Sequence, residues 1–72
     1  MRLFGINPNT TNKVLLYLAE SSPYGVVQED CEMYLMGMRD NLSDTTMMIL
    51  EKEKSQILKL ASIIENIFDE EE

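Results

Sequence analysis

The amino-acid sequence predicts an all-α protein: a small three-helix bundle in which a long C-terminal helix lies antiparallel to the second helix and the first helix packs across that hairpin. Three observations carry the prediction. Val27, Cys31, Tyr34, Leu35, Met38 and Leu42 recur in steps of four, three, one, three and four. At about 100° per residue these steps put them on one helical face. Between positions 44 and 68 there is no glycine or proline, and Leu50, Ile57 and Ile64 repeat every seven residues with Leu60 and Ile67 between them, the pattern of a bundle seam. Turn-forming residues gather at 7–9, 21–25 and 40–44 and divide the chain into three helical stretches.

The first helix follows the short apolar start MRLFGI. Asn7 is a cap candidate with Pro8 at the first helical position, Asn9 or Thr10 caps in a slightly later start, and the helix should end near Glu20. Val14, Leu15, Leu16, Tyr17, Leu18 and Ala19 are apolar on every side, a pattern that a buried strand shares, so residues 13–19 are read as helix with strand as the alternative. The second helix should run from about Val26 to Asp40, with Glu29 and Asp30 near its positive N-terminal end. Ser43 is the expected N-cap of the third and longest helix, at 44–68. Glu53 interrupts its seam, residues 51–56 are all polar, and Ala61, Ile63 and Phe68 widen the apolar stripe near its end.

Seventy-two residues allow one domain, read as 1–72 with an N-terminal segment at 1–7 and a frayed acidic tail at 69–72. A core of this size seldom supplies more than about 3–5 kcal/mol, and small folds gain support from disulfides, a metal or association. Cys31 is the only cysteine and histidine is absent, so an intrachain disulfide and the usual zinc ligand sets are excluded. Association remains, as a homodimer or a hetero-oligomer. The lone cysteine fits a reducing compartment, and the start of the chain does not read as a signal peptide, so a cytoplasmic location is expected. No run of about 18 apolar residues is present to span a bilayer.

Thirteen acids against six bases give a net charge of −7. That charge disfavours phosphate backbones and anionic lipid surfaces, so neither nucleic acid nor membrane is an expected partner. Four of the acids form the run Asp69, Glu70, Glu71 and Glu72, which reads as a solvated end or, less often, as a mimic of nucleic acid directed at a basic groove. KVLLYLAESSPYGVVQED has some of the rhythm of a winged-helix start, yet the later helix alternates Lys52, Lys54 and Lys59 with Glu51 and Glu53 and lacks arginine.

Catalysis has little to build on. Nucleophilic chemistry needs a nucleophile beside an orienting base, and the chain has no histidine to pair with Cys31, which reads as a small core residue. The paired acids Glu29 with Asp30, and Asp40 with Asp44, read as solvated helix ends. DNLSDTT lacks the glycine and distant glutamate of a calcium loop, and neither a phosphate-binding glycine loop nor a dinucleotide fingerprint occurs. The expectation is therefore no enzyme and no cofactor.

Surplus apolar surface points to a protein partner instead. Val26, Met33 and Gly37, with Met36 near them, fall on a second face of the second helix; Met47 and Met48 open the third helix, and Ile63 and Phe68 lie near its end. Methionine adapts to irregular surfaces and glycine admits a close backbone, so these eight residues are the candidate partner-binding set. The plainer reading is that the first helix covers them. The segment EKEKSQILKLASIIENIF is similar to the closing helix of the small co-chaperones that guard needle subunits in type III secretion; that resemblance implies a helical hairpin that binds a second chaperone. The 23–25 break and the apolar first helix depart from a two-helix hairpin. The sequence thus supports a small acidic binding protein, a regulator or inhibitor of a larger protein such as phages and mobile elements carry, with an assembly chaperone as the alternative.

Overall fold

The computed structural model describes residues 1–68, with side chains described as far as Ile67; the acidic run at 69–72 lies outside the described residues. Its elements are one 3-10 turn, Leu3–Gly5, followed by α1 (Pro8–Ser21), α2 (Gly25–Leu35), α3 (Asp44–Lys52) and α4 (Lys54–Phe68). The protein is all-α, and residues 13–19 are helix.

Asn7 caps α1: its side-chain oxygen accepts from the Thr10 N–H at 2.8 Å, and Pro8 follows at the first helical position. The helix ends because Pro23 cannot donate to the carbonyl four residues back. Ser22 then organises the turn. Its hydroxyl accepts from the Tyr24 N–H at 3.2 Å and its carbonyl accepts from Gln28 Nε2 at 2.6 Å, which holds the first turn of α2 against the end of α1. The connection is three residues, so α1 and α2 form an antiparallel helical hairpin, and this is the most extensive helix pairing in the molecule.

Two boundaries differ from the sequence reading. The second helix stops at Leu35 rather than Asp40, because Gly37 adopts φ +82° and closes the helix. The Met38 N–H donates to the Met33 carbonyl at 2.9 Å and the Gly37 N–H to the Tyr34 carbonyl at 3.1 Å, the paired bonds of a Schellman cap. Met38 is consequently exposed instead of continuing the buried face, whereas Leu42 is buried from the loop that precedes α3. The long third helix is two helices. At Glu53 the backbone leaves helical values (φ −105°, ψ 14°), and its N–H bonds back to the Leu50 carbonyl at 3.0 Å. The break falls in the all-polar 51–56 stretch, where no apolar side chain holds a straight seam in place. The buried stripe accordingly follows Leu50, Ile57, Ala61 and Ile64, while Leu60 is half-buried and Ile67 exposed.

Splitting that helix changes the arrangement. Of its two halves only α3 packs substantially on α2: Ser43 sits against Asp30 and Thr46 against Val26, so the first turn of α3 runs back along α2. The other half, α4, packs on α1 instead. Asn7 Nδ2 reaches Glu65 Oε2 at 3.2 Å near one end, and Tyr17 and Ser21 share a cleft with Gln56 and Leu60 near the other, so α4 runs antiparallel to α1. The first helix is thus the element around which the bundle closes. It supplies Val14, Leu15, Leu18 and Ala19 to the core, more buried apolar residues than any other element among the described side chains.

The N-terminal segment is part of the fold. Leu3 and Ile6 are buried, and Phe4 takes a left-handed backbone conformation (φ 53°) that turns the chain back over α1. Thr11, fully buried, fastens this hook: its hydroxyl accepts from the Leu3 N–H at 3.3 Å and donates to the Ile6 carbonyl at 3.0 Å. Lys54 adds a cation–π contact, its Nζ 5.3 Å from the Phe4 ring centre. Thr11→Val keeps the shape but strands a buried donor and a buried acceptor, and should lower unfolding free energy by about 1–3 kcal/mol in urea titrations. A loss as small as that of an exposed substitution would refute the clasp.

Candidate protein-binding surface

The seven candidate partner-binding residues whose side chains are described do not form one face. Val26 is exposed and Met33 half-buried on one flank of α2, seven residues apart. Met36 is the C-cap of α2 and Gly37 lies beyond it, so neither belongs to that flank. Among the described residues the space a Cβ would take at Gly37 is open, although Gly37 shares a shallow cleft with Asn12 of α1. Its role within the chain is the left-handed cap. Met47 packs partly buried against the core and lines a cleft with Met1, Arg2, Asp40 and Leu42, whereas Met48, on the next position of α3, is exposed. Ile63 is 55% exposed on α4, and the side chain of Phe68 lies outside the described residues.

A more continuous apolar surface lies on α4 and α1. With Ile57, Ala61 and Ile64 turned into the core, helical geometry puts Leu60, Ile63 and Ile67 together on one flank of α4. Leu60 is half-buried and Ile67 60% exposed. Tyr17 of α1, 52% exposed, extends this flank, because Tyr17 and Leu60 line the same cleft. Sequence periodicity had counted Leu60 and Ile67 within the seam; the turn at Glu53 rotates them to its edge.

The cleft at the end of this flank has a volume of about 290 Å³. Its walls are the last turn of α1 (Tyr17, Leu18, Ser21, Ser22), Pro23, and the start of α4 with the α3–α4 junction (Glu53, Gln56, Ile57, Leu60). The lining therefore mixes polar and apolar side chains. Glu53 supplies the only formal charge in the lining.

A buried polar network between α2 and the start of α3 has a structural role. Asp30, 4% exposed, accepts from the Ser43 N–H at the start of α3 and pairs with Arg39 Nη1 at 3.2 Å. Ser43 also caps α3 through Thr46, and the Thr46 hydroxyl reaches the Val26 carbonyl at 3.4 Å, so helix, loop and helix are tied at one point. The sequence placed Asp30 at a solvated helix end; it lies in the second turn of α2, facing the interior. Burial is the largest influence on its carboxyl and raises the pKa, but the Ser43 N–H, the Ser43 and Thr46 hydroxyls and Arg39 together outweigh it, leaving the pKa below the usual 3.8.

Cys31 is fully buried beside Asp30, and desolvation followed by the nearby carboxylate pushes its thiol up to about 11. That environment suppresses the thiolate a nucleophile requires. Among the described residues, no three His, Cys, Asp or Glu side chains converge as a metal site requires, and no helix is long and apolar enough to cross a membrane. Compared with known protein families, curated proteins and solved structures, the chain matches none.

Two measurements follow from the buried groups. Because the folded pKa of Asp30 lies below its unfolded value, its contribution to stability is present above about pH 3.8 and is lost as the pH falls through the lower folded value. Asp30→Asn should cost about 1–3 kcal/mol at pH 7, with the gap to wild type shrinking in chemical denaturation below that pH; a gap that stays constant down to pH 2 would contradict the assignment. Cys31 in the native protein should react with a disulfide reagent at pH 8 at least about a hundredfold more slowly than in urea. Equal rates would show an accessible thiol.

Proposed function

We propose that this protein is a regulator or inhibitor that works by binding a larger protein partner through the apolar flank formed by Leu60, Ile63 and Ile67 of α4 with Tyr17 of α1. The observation that carries this reading is that Ile63 and Ile67 project from a helix whose core-facing stripe is already complete with Ile57, Ala61 and Ile64. Residues that folding does not bury cost solubility, and their alignment on one helix flank fits insertion against a partner's apolar groove or helix. Net charge −7 supports a protein in preference to a nucleic acid or an anionic membrane.

An assembly chaperone would use the same flank, and the resemblance of 51–68 to the closing helix of needle co-chaperones favours it as the second reading. The class of partner separates the two. A retained enzyme or regulator supports inhibition, and a small helical secretion subunit supports chaperoning.

The test is affinity capture from extracts of the native host with three immobilised proteins: wild type, Ile63→Lys and Met33→Glu. Wild type and Met33→Glu should retain one common partner. Ile63→Lys should lose it by roughly tenfold or more, the effect of removing one well-packed apolar anchor. Retention that survives Ile63→Lys, or that Met33→Glu abolishes, would reject the α4 flank as the binding surface.

A further inference from the structure

We infer that the cleft between the end of α1 and the α3–α4 junction accepts an arginine side chain of the protein partner, which makes it the polar anchor beside the apolar flank. This rests on the binding role proposed above and names the chemistry the partner must present.

Three features of the cleft agree. The first is electrostatic: α1 ends at this wall, with no basic residue in its last turn to offset the partial negative charge of its C-terminal carbonyls. Glu53 adds a full negative charge, and no lysine or arginine is among the lining residues. Lys52 and Lys54 flank Glu53 in sequence, but neither lines the cleft, and Lys54 is engaged over the Phe4 ring.

The second feature is shape. Leu18, Ile57 and Leu60 offer an apolar wall for an aliphatic stem, and the exposed Tyr17 ring offers a face on which a guanidinium can stack. A planar fork of donors suits a carboxylate with nearby hydroxyl and amide oxygens, here Glu53, Ser21 and Gln56, better than a compact ammonium does. The third is position: Tyr17 and Leu60 belong to both the cleft and the apolar flank, so an arginine seated here places adjoining apolar side chains of the same segment over Ile63 and Ile67.

The experiment needs no partner. N-acetyl-arginine methylamide is titrated into the ¹⁵N-labelled full chain and followed by amide shifts, with N-acetyl-norleucine methylamide as the apolar control. The arginine probe should produce saturable shifts confined to the neighbourhoods of Tyr17, Ser21, Gln56 and Leu60, with at least fivefold tighter binding than norleucine. Glu53→Gln, which keeps the side-chain shape at the junction, should weaken the arginine response at least fivefold and leave norleucine unchanged. Equal binding of both probes, an arginine response indifferent to Glu53→Gln, or no saturable shift would each overturn the inference. None of those results touches the capture experiment with Ile63→Lys, which decides the apolar flank separately.

Discussion

The structure depends on a shortage: there is one core for four helices and a hook, and α1 has to serve as its common wall. The fully enclosed apolar side chains Leu3, Val14, Leu15, Val27, Cys31 and Leu50 come from four of the five elements, and they meet around that helix. Because α1 is apolar around much of its circumference, it can pack on α2 along one side and on α4 along another. Each partner helix then needs only a narrow buried stripe. The consequence falls on α4, whose sequence carries more apolar residues than its stripe accommodates, so Ile63 and Ile67 remain outside.

Buried polar groups set the geometry in which that surplus appears. Thr11 fastens the hook over α1, Asp30 receives the start of α3, and Thr46 ties that start to Val26 of α2. Every buried side-chain nitrogen or oxygen among the described residues has a hydrogen-bond partner. These bonds are directional where the apolar contacts are not, and they fix where the loop after α2 delivers the chain. From there the turn at Glu53 swings α4 away from α2 and onto α1. The same turn opens the cleft beside Tyr17, so the architecture of the junction and the binding surface share one cause.

How much of this was legible in the sequence varies with the range of the interactions. Local chemistry was readable: Asn7 with Pro8 and Ser43 are the caps of α1 and α3, and the turn at 21–25 separates two helices. The end of α2 was written at Gly37, but a glycine inside an otherwise helical stretch reads equally as a contact position until its left-handed backbone is known. Glu53 was visible as a flaw in the heptad, yet nothing local distinguishes a polar residue tolerated within a long helix from one at which the helix turns. The contacts that accompany the turn are distant in sequence, since α4 packs on α1. Asp30 was misread for the same reason, since its partners lie nine and thirteen residues along the chain. The candidate binding residues were picked from faces of helices whose ends and turns had not been located, and of the seven whose side chains are described only Ile63 lies on the flank now proposed.

The central claim is that the outer flank of α4 is surplus to folding, and comparative unfolding of two variants tests it directly. The double variant Ile63→Lys with Ile67→Lys should unfold in urea within about 0.5 kcal/mol of wild type, as exposed substitutions do, while Ile64→Lys, one position away and turned inward, should abolish cooperative unfolding. If the double variant instead loses the fold and Ile64→Lys is tolerated, α4 packs with its other side inward and the account of this surface fails.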